Sequence, residues 1–184
     1  MAALLAEGMT PDDHLLDIGC GALRLGHKAV PFLKPGHYWG TDASLALMRH
    51  GRLTELADPD RLPGDHLIED RDFAFPGLPD TITLAIAFGV FTHLPDPSLA
   101  IAMQGLRRFP KLRACLFTVF LASDPDRPMR QADGVVTHPD RPPYHVTEAA
   151  VVNATRAAGY AGVRRPTRLP RGQVLWVASP PQMP

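Results

Sequence analysis

The stretch His14-Leu15-Leu16-Asp17-Ile18-Gly19-Cys20-Gly21, followed by Gly40-Thr41-Asp42, holds the residues of this chain whose types and spacing could do chemistry. A short apolar strand runs into a glycine turn, a helix follows, and a second strand ends on an acid. In an open α/β sheet that order builds a pocket for a nucleoside. The glycines let backbone approach the ligand, and the carboxylate at the end of the second strand accepts hydrogen bonds from two ribose hydroxyls. Two chemistries use such a pocket, dinucleotide redox and methyl transfer, and the rest of the chain must choose between them.

The elements that position these residues follow from periodicity and breakers. Residues 2–8 read as a short helix leading into a strand at 14–18. A helix over about 23–33 presents Leu23, Leu25, Val30 and Phe32 and ends at Lys34-Pro35-Gly36. A second strand occupies 37–41, and Ser44 caps a helix from about 45 to 57, in which Gly51 costs ~1 kcal/mol relative to alanine. Residues 65–69 form a short third strand, and the continuous apolar run 82–88 a strand buried on both faces. Leu99, Ala102, Met103 and Leu106 mark a helix over 97–108, followed by a buried strand at 112–121. Thr147 caps a helix that Gly159 stops. Strands at 163–169 and 173–178, joined by the turn Pro170-Arg171-Gly172, close the chain.

Strands alternating with helices predict an α/β fold, a Rossmann-like three-layer sandwich around a mostly parallel seven-stranded sheet. The closing hairpin makes one strand near the C-terminus antiparallel. Residues 1–179 are expected to form a single domain, with 180–184 a disordered tail. Five of the twenty prolines interrupt the segment 125–143, which therefore reads as loop.

Composition narrows the function classes. With 184 residues, 45% hydrophobic and 21% charged, the chain is expected to be a soluble globular protein. Its formal net charge is zero, so no bulk field favours nucleic acid or an anionic membrane. Cys20 and Cys115 are the only cysteines, giving neither a disulfide framework nor a metal-ligand cluster. The N-terminus lacks a basic region followed by a long apolar core, and no run reaches the roughly 20 apolar residues of a membrane span. A cytoplasmic protein, monomer or homodimer, is the expectation. Cys20 lies where a small residue is needed between two glycines; it is read as a small buried hydrophobe and not as a nucleophile.

Three segments in order resemble the class I S-adenosylmethionine-dependent methyltransferases. Leu15–Gly21 is similar to their first motif, Gly40-Thr41-Asp42-Ala43-Ser44 to the end of their second strand, and Phe88-Gly89-Val90-Phe91-Thr92-His93-Leu94 to the segment after their fourth. The terminal strand pair also lies where that fold places its antiparallel strand. Two positions depart from the pattern: Leu23 replaces a third glycine, and Thr83 stands where an aspartate usually opens the fourth strand.

The resemblance implies S-adenosylmethionine as cofactor. Its amino-acid end would lie over Gly19, Cys20 and Gly21 with Asp17 near the ammonium, and its ribose would lie on Asp42 beside Ala43. Asp70 and Asp72 follow the third strand, where the family often recognises adenine; Asp72 is preferred, with Phe73 or Arg71 against the ring. Phe88, Gly89 and Val90 would close over the sulfonium, with Phe91 as an aromatic face toward the acceptor. His93 and His145 are the candidate general bases. In the loop 122–146, Arg127 and Arg130 could bind an acidic acceptor, and Tyr144 would join His93 and Phe91 in the substrate wall. The acceptor is expected to be a small molecule methylated on oxygen or nitrogen by in-line displacement. Against a nicotinamide oxidoreductase stands Arg24, where the dinucleotide motif Gly-x-Gly-x-x-Gly carries its last glycine. A domain that binds the cofactor without turnover is the other alternative.

Overall fold

In a computed structural model, which describes residues 1–181, Leu15–Ile18 (β1) is a run of four buried residues. A central parallel strand covered on both faces requires such a run. Tyr38–Asp42 (β2) pairs in parallel with it, Leu15 opposite Tyr38 through Ile18 opposite Thr41. Leu67–Glu69 (β3) continues outward beside β2, bringing Glu69 opposite Asp42. Leu84–Ala87 (β4) returns to the other side of β1, with Asp17 opposite Ile86. Ala114–Val119 (β5) is buried throughout. Two short strands, Met129–Arg130 (β6) and Val136–Thr137 (β7), form a separate antiparallel pair. Ala161–Arg168 (β8) and Val174–Ser179 (β9) complete the sheet.

The seven-stranded order is β3-β2-β1-β4-β5-β9-β8, with β9 antiparallel to both its neighbours. This is the expected Rossmann-like arrangement, with the expected antiparallel strand. The order reverses between β1 and β4, so the crevice where such sheets take ligands opens at the carboxyl ends of these strands. Five α-helices intervene among the described residues: Ala2–Ala6 (α1), Gly26–Phe32 (α2), Leu45–Glu55 (α3), Pro97–Leu106 (α4) and Glu148–Ala157 (α5). By contact the chain divides into two compact units, Met1–Ile86 with Arg108–Arg113, and Ala87–Arg107 with the described chain from Ala114 onward. Of the tail expected at 180–184, residues 182–184 lie outside the described residues.

Two caps match the sequence. Ser44 Oγ accepts from the Leu47 amide and Thr147 Oγ1 from the Ala150 amide, and α5 stops before Gly159 at φ +81°. Two expectations change. The helix expected from about residue 23 begins only at Gly26, because Leu23 is held at φ 62°, a left-handed conformation that no helix continues. The loop at 125–143 contains the β6–β7 hairpin, where five prolines had suggested no regular structure.

In the first unit, the amino-terminal ends of β1 and β4 are tied by an unusual exchange of residues. The hydroxyl of Thr83 donates to Asp13 Oδ1 at 2.8 Å, and Arg113 holds the same carboxylate from the other side at 2.9 Å. An acid just before β1 therefore serves beside the position where the resembled family carries its aspartate. Burial pushes the Asp13 carboxyl up, but Arg113, Thr10 and Thr83 outweigh it and hold it below the usual range.

Candidate active site

The first half of the site is a turn made of backbone. Gly19 and Gly21 have φ of 66° and 53° and Leu23 has 62°, so alternate residues after β1 are left-handed. Glycine adopts that conformation freely and leucine does not. The coil is tied to the next strand: the Gly19 and Cys20 amides both donate to the Thr41 carbonyl, at 2.7 and 3.0 Å. The Gly21 amide donates to Asp42 Oδ2 at 3.0 Å, while the Ser44 amide donates to Oδ1, also at 3.0 Å. Asp42 is thereby fixed at the carboxyl end of β2 beside the turn. A carboxylate has about four acceptor positions, so two backbone bonds leave room for two hydroxyls. A Cβ built on Gly21 would meet nothing within 4 Å, so this backbone faces open space.

Close packing explains the residues around the turn. A Cβ on Gly40 would come within 2.8 Å of Cys20 Sγ, so the two positions must be small together. Burial pushes the Cys20 thiol far up, and the charges of Asp17 and Asp42 add to this. It stays protonated, in keeping with a packing role. Gly51 in α3 faces the backbone of Ala22, where an added Cβ would lie 2.4 Å from the carbonyl oxygen.

Asp17 lies in the middle of this unit, 4% exposed, with the Tyr38 hydroxyl donating to its Oδ2 at 2.6 Å. Burial raises its carboxyl to about 7, more than the Tyr38 bond lowers it, and the charge of Asp42 raises it further. A buried acid titrating near neutrality is poised to respond to an approaching cation.

After β3 the structure separates the two acids that the sequence left together. Asp70 accepts the amides of Asp72 and Ala74, at 3.2 Å each, and of Phe75 at 2.8 Å. It thus organises a loop in which Phe73 and Phe75 take φ of 57° and 52°. The Asp72 carboxylate is exposed and makes no hydrogen bond or ion pair among the described residues. Asp72 is therefore the acid open to a ligand. The Phe73 ring is half-buried and lies tilted against Phe75, 6.3 Å between centroids. Ala43, next to Asp42, is exposed.

The second unit holds the remaining expected residues. Gly89, at φ 78°, donates its amide to Thr118 Oγ1 at 2.8 Å, and Thr92 Oγ1 donates back to the Gly89 carbonyl. The segment after β4 is thus anchored on β5. Phe88 is 48% exposed and Val90 half-buried. Phe91 is 3% exposed and packs edge-on against Phe117, 6.0 Å between centroids. The aromatic face offered outward by this segment is that of Phe88.

The loop 122–146 is held by a chain of polar contacts. Gln131 Nε2 donates to the Leu121 carbonyl and to Thr137 Oγ1, at 3.2 and 3.0 Å. Thr137 Oγ1 in turn lies 2.9 Å from His145 Nδ1. His145 is 5% exposed, with its Nε2 buried and unpartnered. The Tyr144 amide donates to the Thr92 carbonyl at 2.8 Å, joining this loop to the segment after β4. Arg127 pairs with Asp124 at 3.6 Å and Arg130 donates to the Gly134 carbonyl at 3.1 Å; both are exposed.

Beside these lies a cavity of about 270 Å³. His93 is on its wall, with Phe120 and the Pro142–Pro143 pair as apolar surface. Of the expected acceptor-side residues the cavity gathers His93; Arg127, Arg130, Tyr144 and His145 are not on its wall.

No family model matches the chain, and no curated protein matches it. Solved structures match it in fold. A magnesium protoporphyrin IX methyltransferase from Synechocystis PCC 6803, with bound S-adenosylhomocysteine, has TM-score 0.68 at 17% identity, over 98% of this chain and 80% of its own. A S-adenosylmethionine-dependent methyltransferase from Methanosarcina mazei has TM-score 0.68 at 12% identity, over 96% of both chains. Another, from Mesorhizobium loti, has TM-score 0.65 at 18% identity, over 97% and 96%. The chain has the fold of the class I S-adenosylmethionine-dependent methyltransferases.

Proposed function

We propose that this protein is a S-adenosylmethionine-dependent methyltransferase acting on a small-molecule acceptor. The observation that carries the reading is the Gly21 amide on the Asp42 carboxylate at the carboxyl ends of β1 and β2. It sets a half-buried acid, with acceptor positions to spare, beside backbone open to a ligand. In this reading Asp42 takes the two ribose hydroxyls, Asp17 the ammonium, and Asp72 the adenine amine. The turn Gly19–Gly21, with Ala43 and Phe73, completes that surface. Solved structures of the same fold contain S-adenosylhomocysteine or S-adenosylmethionine, which supports the choice of cofactor. The turn offers one left-handed coil and no third glycine for a pyrophosphate, which disfavours a dinucleotide.

When bound, the cofactor supplies a methyl group activated on sulfonium. The chain's own contribution is positioning and exclusion of water, which together can supply most of the acceleration. His93 accepts the proton that an acceptor hydroxyl or amine gives up as its lone pair forms the new bond to carbon. Its exposed ring makes no hydrogen bond among the described residues, so its lone pair is free for this role. His145, bonded to Thr137 and buried, serves the loop and not the acceptor. No helix among the described residues is long and apolar enough to cross a membrane; a cytoplasmic location rests on the sequence.

Replacing Asp42 by alanine tests the binding mode. Two charge-assisted bonds to the ribose would be lost, worth about 3 kcal/mol together, so S-adenosylhomocysteine should bind about 100-fold more weakly. Calorimetric titration reads this directly. An unchanged affinity would show that Asp42 does not hold the ribose.

A further inference from the structure

The cavity in the second unit has a chemical character that the acceptor's identity must match. Arg171 and Gln173 line it together with His93, Thr92, Phe120 and Val135. No acid lines it, and Arg171 makes no ion pair or hydrogen bond among the described residues. Its guanidinium is therefore a planar cation without an internal partner, a geometry suited to a carboxylate taken bidentately. His93 offers a second polar group, and Phe120 with Val135 forms apolar surface. A volume of about 270 Å³ falls just below the usual range for drug-sized ligands, so the occupant is small.

The backbone singles out the same residue. Arg171 sits at φ 62°, a conformation that favours glycine, although Gly172 follows it immediately. The turn cannot slide to share the burden, because a Cβ on Gly172 would lie 3.1 Å from Gln131 Cβ. Gln131 is itself fixed by the Leu121 and Thr137 bonds. An arginine kept where glycine would relax the chain is held there for its side chain.

From these observations the geometry points to a specific acceptor class: a small hydroxycarboxylic acid. Arg171 takes its carboxylate, and its hydroxyl donates to His93. The inference rests on the methyltransferase reading for its purpose but not for its chemistry. Arg171 is a specificity residue that the sequence presented only as the middle of a Pro-Arg-Gly turn.

The test uses the 2-, 3- and 4-hydroxybenzoates and the corresponding uncharged hydroxybenzamides, titrated into the wild-type chain and into R171G and R171K. At least one hydroxybenzoate should bind tenfold or more tightly than its amide. R171G, which suits φ 62°, should keep or raise Tm yet lose this preference, and R171K should retain part of it. Binding of no hydroxybenzoate, or an equal preference in R171G, would overturn the assignment. Titrating S-adenosylhomocysteine into the same wild-type sample separates the two readings. If it binds while no hydroxybenzoate does, the acceptor class is wrong and the cofactor reading stands. If a hydroxybenzoate binds with the stated preference and S-adenosylhomocysteine does not, the cavity assignment stands and the methyltransferase reading fails.

Discussion

Gly51→Ala is expected to destabilise the protein by about 3 kcal/mol, although by helix propensity alone the change should stabilise α3 by ~1 kcal/mol. The reason is contact. The new Cβ would lie 2.4 Å from the Ala22 carbonyl oxygen and 2.5 Å from its carbon, and both are backbone that cannot rotate away. Either α3 must move off the turn or the turn must shift. Ala22 follows Gly21, whose amide anchors Asp42, so a shift there also disturbs the position proposed for the ribose. Thermal unfolding should show Tm lower by roughly 6–12 °C, given about 2–4 °C per kcal/mol for a chain of this size. Binding of S-adenosylhomocysteine should weaken along with it. An unchanged or raised Tm would mean that the close packing of α3 on the turn is not what Gly51 serves.

The second large effect concerns pH. Asp17 is raised to about 7 by burial, against the opposing Tyr38 bond. In the proposed binding mode only its ionised form attracts the cofactor's ammonium, so affinity should fall as protons return. Between pH 7.5 and 5.5 the ionised fraction drops by roughly 25-fold, and the affinity for S-adenosylhomocysteine should follow. Stability moves the other way. A carboxyl whose folded value exceeds its unfolded value favours folding below the unfolded value, and that contribution is lost as pH rises toward and through 7. Over the whole range from the unfolded value of ~4 up to the folded value of about 7 it amounts to roughly 4 kcal/mol. Asp17→Asn removes the charge while keeping an acceptor for the Tyr38 hydroxyl. The variant should therefore be more stable than the parent at pH 8 yet bind more weakly there, with a flat affinity profile. Loss of both stability and binding at pH 8 would assign Asp17 a purely structural role, and wild-type pH dependence in the variant would place the titration elsewhere.

Much of this architecture could be read from residue patterns because its causes are local. Ser44 and Thr147 announce their helices by side-chain capping, and the apolar runs of β1, β4 and β5 announce burial on both faces. The glycine turn and Asp42 were legible for the same reason, since left-handed backbone and an acid at a strand end are written in residue types. What escaped the sequence depends on distant partners. Leu23 gives no sign that it is left-handed, so the helix was placed three residues too early. Gly51 looked like a weak point of α3, whereas its cause is Ala22 across the packing. Asp72 was preferred to Asp70, but the three backbone amides that occupy Asp70 leave no trace in residue types. Phe91 and Phe88 exchanged their expected surroundings, the one buried on Phe117 and the other exposed, because side-chain direction in an irregular segment has no period to follow. On the acceptor side, the loop's many charges drew attention to Arg127 and Arg130, while the cavity's arginine was hidden in the last turn.

In the proposed function the S-adenosyl group is held at the carboxyl ends of β1 and β2. Thermal unfolding in the presence of S-adenosylhomocysteine, and separately of NAD, tests it most directly. At a ligand concentration of about 100 times the dissociation constant, binding should add ~2.7 kcal/mol, a rise in Tm of several degrees. That rise is expected with S-adenosylhomocysteine and not with NAD. A rise with NAD alone, or with neither ligand, would contradict it.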